Sequence, residues 1–111
     1  MKEALVARSP RQHASLDQDA ASLEDLLRAR GEYGHVGVRA ARGHLLIENR
    51  SAPEDPEVVA RATPLGGATF GLSFRTHTDR WETMPVAGSL ADVAAATVEL
   101  LGPYLAPYVP A

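Results

Sequence analysis

The sequence predicts an α+β fold, a two-layer sandwich. An antiparallel meander of four to five strands is packed by an N-terminal and a C-terminal helix, in the order α-β-β-β-β-β-α. Three observations predict it. Leu16, Ala20, Leu23 and Leu27 recur at helical spacing near the start. Phe70, Leu72 and Phe74 alternate with Gly71, Ser73 and Arg75 in the middle, the period of a half-buried strand. A second helical pattern, Leu90, Val93, Ala94, Thr97 and Leu101, follows the last alternating segment. Helices at both ends of an antiparallel run bury their apolar stripes on one face of the sheet and leave the other face bare.

The first helix is expected over about 15–30. Ser15 and Ser22 are both suitable N-caps, Arg28 and Arg30 sit in the last turn, where cations oppose the helix dipole, and Gly31 follows as a stop. A hairpin comes next, with His35–Ala40 and His44–Asn49 joined through Ala41-Arg42-Gly43. Leu45, Leu46 and Ile47 are consecutive and apolar, which suggests an interior strand covered on both faces. Residues 51–56 hold two prolines and two acids and read as a loop. A third strand is expected over Glu57–Thr63, turned by Pro64-Leu65-Gly66-Gly67 into the fourth. A two-residue turn at Thr78-Asp79 would set Arg75 opposite Glu82 and Thr76 opposite Trp81. That register pairs charges outside and puts Trp81 in the core with Phe74. Ser89 caps the second helix with Asp92 three residues on, and Gly102-Pro103 ends it.

A chain of 111 residues is one domain's worth, and no linker divides it. Residues 1–14 lack a clear period and read as poorly ordered or as a short strand through Leu5 and Val6. Residues 15–102 form the domain. Residues 103–111 hold no charge and three prolines, and are expected to run extended, packing on the domain or on a partner subunit through Tyr104, Leu105, Tyr108 and Val109.

Composition narrows the chemistry. With no cysteine there is no thiol catalysis or thiolate metal site. No apolar run reaches the roughly 20 residues of a membrane span and no leader-like stretch opens the chain, so a cytoplasmic protein is expected. The net charge of −3 argues against binding nucleic acid through the overall field. The balance is uneven: residues 1–50 hold eight cations against seven acids, the remainder three against seven.

Each candidate site competes with a plainer explanation. His13, His35, His44 and His77 are dispersed along the chain without ligand spacing, so neither metal nor cofactor is expected. His77, Asp79, Arg75 and Glu82 would make a small acid-base cluster on the open sheet face, although a turn explains Asp79 by itself. Gly71-Leu72-Ser73 lacks the second glycine of a nucleophile elbow. Gly31, Gly34 and Gly37 have the wrong spacing and order for a dinucleotide fingerprint. Arg28, Arg30, Arg39, Arg42 and Arg50 form the one basic stretch and could grip phosphates. The leading expectation is a non-catalytic binding or assembly module that self-associates as a homodimer. The alternatives are a small enzyme using the His77 cluster and a weak nucleic-acid binder using the Arg28–Arg50 stretch.

Overall fold

A computed structural model describes residues 16–52 and 54–107. The short strand expected through Leu5 and Val6 lies outside the described residues, as do Tyr108 and Val109. Within them the order is a helix α1 (16–28), strands β1 (Val36–Ala41), β2 (His44–Asn49), β3 (Glu57–Gly66), β4 (Thr69–Arg75) and β5 (Trp81–Gly88), helix α2 (Leu90–Leu101), and a 3-10 turn (Gly102–Leu105). The five strands form one antiparallel meander in the order β1-β2-β3-β4-β5.

Alternation sorts the sheet into two faces. Val36, Val38, Leu45, Ile47, Ala60, Ala62, Phe70 and Leu72 all point to the helices, where they meet Ala20, Leu23 and Leu27 of α1 and Val93, Ala94 and Leu101 of α2. Leu23, Leu27, Leu45, Ile47, Leu72 and Val93 are fully buried, so this layer contact is the hydrophobic core. The opposite face carries Arg39, His44, Leu46, Glu48, Arg61, Ser73, Arg75 and Trp81, and among the described residues no element covers it. Leu46 is accordingly half-buried rather than enclosed on both sides.

Turn chemistry sets each register. Arg42 and Gly43 both have positive φ, 53° and 80°, the geometry of a two-residue type I′ hairpin. The β4–β5 turn departs from expectation. Thr76 and Arg80 close it through a Thr76 N–H to Arg80 C=O bond of 2.8 Å, leaving His77, Thr78 and Asp79 as a three-residue loop. Asp79 sits at φ 63°, a left-handed position that a short polar side chain tolerates. The added residue moves the register by one, so Arg75 faces Trp81 and Phe74 faces Glu82. A one-residue slip exchanges faces. Trp81 therefore leaves the core for the bare face, and Glu82 leaves the face that holds Arg75.

Two further differences have local causes. β3 continues to Gly66, because Pro64 and Gly66 keep pairing with β4 on either side of a register shift at Leu65, and the return is made by Gly66 and Gly67, both at positive φ. The chain beyond α2 tightens into a 3-10 turn instead of running extended. Gly102 stays right-handed, at φ −49°, and Pro103, which has no N–H to donate, starts the tighter turn.

Both the start of α2 and the edge of β1 are held by side chains. Ser89 accepts the Asp92 N–H at 3.2 Å while Asp92 accepts the Ser89 N–H at 3.1 Å, a reciprocal capping box. Ser22 lies inside α1 rather than at its cap, and the neighbouring Glu24 has another task. Its carboxylate accepts the outward-pointing Val38 N–H at 2.8 Å, and Arg28 donates to the Val36 carbonyl at 3.0 Å. The edge strand is thereby closed to pairing with another chain over its first half.

Candidate functional site

A cleft of about 1210 Å³ opens at the end of the sheet where β2 finishes and β4 meets its turn. The loop after β2, the start of β3, the β4–β5 turn and Tyr104 of the 3-10 turn enclose it. Phe74 and Val58 supply an apolar floor, and Tyr104 stands 63 % exposed beside them. Glu54, Asp55, Glu57, Asp79 and Glu82 line the walls against one arginine, Arg75. Five carboxylates facing one guanidinium is a larger local excess than the −3 of the entire chain.

The rear wall is set by a residue that motif reading passes over. Asn49 is buried at the end of β2, on the core-facing side. Its amide donates to the carbonyls of Tyr104 at 3.2 Å and Ala106 at 2.8 Å. Its side-chain oxygen accepts from the N–H and hydroxyl of Ser51, at 3.0 and 2.7 Å. One side chain thus ties the 3-10 turn and the acidic loop to the sheet, and His35 adds a short hydrogen bond from Nε2 to the Leu105 carbonyl. The legible signal was a polar residue at the third core-facing position of Leu45, Ile47, Asn49, where burial without partners would be costly.

The four acid-base candidates, Arg75, His77, Asp79 and Glu82, all line this cleft. Among them the contact is Arg75 Nη2 to Asp79 Oδ1 at 3.1 Å, an exposed ion pair within the turn. His77 is exposed and bonded to no other described residue, so nothing orients its ring as a triad's third member would. The arginine stretch is dispersed by the fold. Arg28 belongs to the α1–β1 junction, Arg30 to the turn after it, Arg39 to the bare face and Arg42 to the hairpin tip. Of the tail residues, Tyr104 lines the cleft while Leu105 is fully buried in the core. Among the described residues, no group of three or more His, Asp or Glu side chains is placed to hold a metal ion.

A second polar cluster occupies the bare face. Glu48, only 4 % exposed, is gripped by Arg39 Nε at 2.7 Å and Arg50 Nε at 3.1 Å. Arg50 reaches on to Glu24 at 3.6 Å, passing over Gly37, where an added Cβ would lie 2.1 Å from the guanidinium carbon. Only glycine leaves that path open. Nearby, the Arg61 guanidinium stacks on Trp81 with its carbon 4.4 Å from the ring centroid. His44 Nδ1 lies 2.9 Å from Thr63 Oγ1. Burial, and then the charge of Arg61, hold the His44 pKa below its ordinary 6.5.

That lowered value has a direction in pH. As pH falls below about 6.5, the unfolded chain takes up the His44 proton before the folded chain does. Stability is therefore expected to decline from pH 6.5 down to the lowered folded value, and then to level. Denaturation of wild type and His44→Gln across pH 5–8 checks this. A wild-type decline that His44→Gln leaves unchanged would rule it out.

No protein-family model, curated protein or solved structure matches this chain. Among the described residues, no helix is long and apolar enough to cross a membrane.

Proposed function

We propose that the protein is a non-catalytic binding module whose acidic cleft receives a basic segment of a protein partner. The observation that carries this reading is the composition of the cleft: five carboxylates around an apolar floor, with an exposed tyrosine at the lip. An arginine or lysine side chain satisfies both parts at once, its methylenes lying on Phe74, Val58 and Tyr104 and its charge meeting the rim. A field of one sign in a concave site also raises the encounter rate with an oppositely charged segment. A cytoplasmic setting belongs to the proposal, and cell fractionation checks it.

The same cleft favours a second reading, because the four acid-base candidates line it together. The binding reading is preferred, since Arg75 is engaged by Asp79 and His77 has no partner among the described residues to set its tautomer. The arginine stretch supports a nucleic-acid role less well, being split between the helix layer, the bare face and a hairpin tip.

The test uses two synthetic peptides added to the full chain. One is an arginine- and lysine-rich segment of unrelated sequence. The other is residues 1–15 of this protein, which carry Lys2, Arg8 and Arg11 against Glu3. Binding by calorimetry is expected to weaken as salt is raised and to weaken roughly three- to tenfold in Glu57→Gln/Glu82→Gln, two exposed charge pairs being worth about 1 kcal/mol. Where the second copy is the partner, the 1–15 peptide also lowers the apparent mass in light scattering. Failure of both peptides to bind at low salt sinks the proposal.

A further inference from the structure

On the bare sheet face four arginines lie within reach of one another's strands, and three are matched by carboxylates. Arg39 and Arg50 share Glu48, and Arg75 holds Asp79. Arg61 is the exception. Among the described residues it makes no ion pair, and its Nε is buried with no hydrogen-bond partner. A buried donor left unsatisfied is rare in folded proteins and calls for an explanation, an ion taken up beside it among them. The guanidinium lies over Trp81, its carbon 4.4 Å from the ring centroid, which limits its freedom before anything binds.

The surroundings of Arg61 indicate the class of acceptor. Ser73 is its direct neighbour on β4 and Thr83 continues the row on β5, while Thr63 follows on β3 on the same face. Hydroxyl-bearing residues in the rows beside a guanidinium suit a tetrahedral anion with three free oxygens better than a carboxylate with two. Among the described residues no carboxylate pairs with Arg61 to compete, and the His44 ring provides a further nitrogen beside Thr63.

We propose that Arg61 and Trp81 form a site on the bare sheet face for a phosphate-bearing ligand. The guanidinium takes the phosphate oxygens, and the hydroxyls of Ser73 and Thr83 on the neighbouring strands supply further donors. The site is separate from the acidic cleft, and it stands or falls independently of the cleft's partner. It needs no bond made or broken.

Trp81 is the chain's one tryptophan, so its fluorescence reports this site alone. The full chain is titrated with inorganic phosphate and with phenyl phosphate at constant ionic strength, with acetate as the carboxylate arm. A saturable change is expected with both phosphates, with its midpoint moved at least about tenfold by Arg61→Gln, less by Arg61→Lys, and not by Arg39→Gln. The imidazole NMR signals of His44 are expected to shift along the same curve. The lysine variant keeps the charge and guards against a glutamine variant that fails to fold. An equal response to acetate overturns the assignment to phosphate. The site itself is overturned by no saturable change in either Trp81 or His44, or by Arg61 variants that titrate like wild type.

Discussion

Leu105→Ala is expected to lose about 2–5 kcal/mol of folding stability, the cost of emptying a fully buried leucine site. A domain of this size has on the order of 5–15 kcal/mol in total. Leu105 has no exposed surface, although it lies four residues beyond the last α-helical residue, in an uncharged and proline-rich end of the chain. Its backbone carbonyl also holds His35, and the carbonyls on either side of it hold Asn49. A chain ending at Gly102 is therefore expected to be more severely destabilised than the point variant, because it leaves the buried Asn49 amide without acceptors as well. A chain ending at Pro107 keeps every one of these contacts and is expected to unfold with the full-length protein. Urea denaturation of the three chains separates the cases. A Leu105→Ala loss under 1 kcal/mol would mean that this segment is an appendage, not part of the core. The pair of truncations also isolates self-association: sedimentation of the 1–107 chain against full length measures what Tyr108 and Val109 add to assembly without disturbing the fold.

The second large effect is expected at Glu24. Replacing it with alanine removes a charge-assisted acceptor from the Val38 N–H and two arginine contacts, at 3.7 Å to Arg28 and 3.6 Å to Arg50. The loss is expected to be about 1–3 kcal/mol, the range for a hydrogen bond to a charged group. It also uncovers the free edge of β1, so concentration-dependent association is expected from light scattering. Glu24→Gln keeps an acceptor oxygen and is expected to restore most of the wild-type behaviour. If Glu24→Ala were as stable and as dispersed as wild type, solvent would be serving that edge equally well. Sequence places Glu24 within the first helix, and only the close approach of α1 to β1 reveals it as an edge clamp.

The contrast between Phe74 and Trp81 shows where reading the chain succeeds and where it stops. Phe70, Leu72 and Phe74 sit on the core side, as their alternation requires, since a strand's period is set by backbone geometry alone. Trp81 is equally apolar, yet it lies on the other face, because Asp79 takes a left-handed conformation and lengthens the turn by one residue. Composition does not distinguish a two-residue from a three-residue turn at Thr76-His77-Thr78-Asp79-Arg80. Parity then carries that local choice along the whole of β5. The candidate site divides in the same way. His77, Asp79, Arg75 and Glu82 were legible because they are close in sequence around one turn. Glu54, Asp55, Glu57 and Tyr104, the other walls of the cleft, come from a loop, the start of β3 and the 3-10 turn, which only the folded chain brings together.

Local chemistry, then, determined on its own the order α-β5-α, the side on which the core forms, and the caps and turns that bound α2 and the first hairpin. These depend on periodicity, φ preferences and hydrogen bonds between near neighbours. The length of one turn decided the faces of Trp81 and Glu82; tertiary structure alone decided the burial of Leu105, the clasp made by Asn49, and the separation of Arg61 from the carboxylates of the described residues. Each of the latter depends on which distant group ends up at van der Waals or hydrogen-bonding distance. That is a property of the packed layers, because the energies involved fall to nothing within a few ångströms of contact.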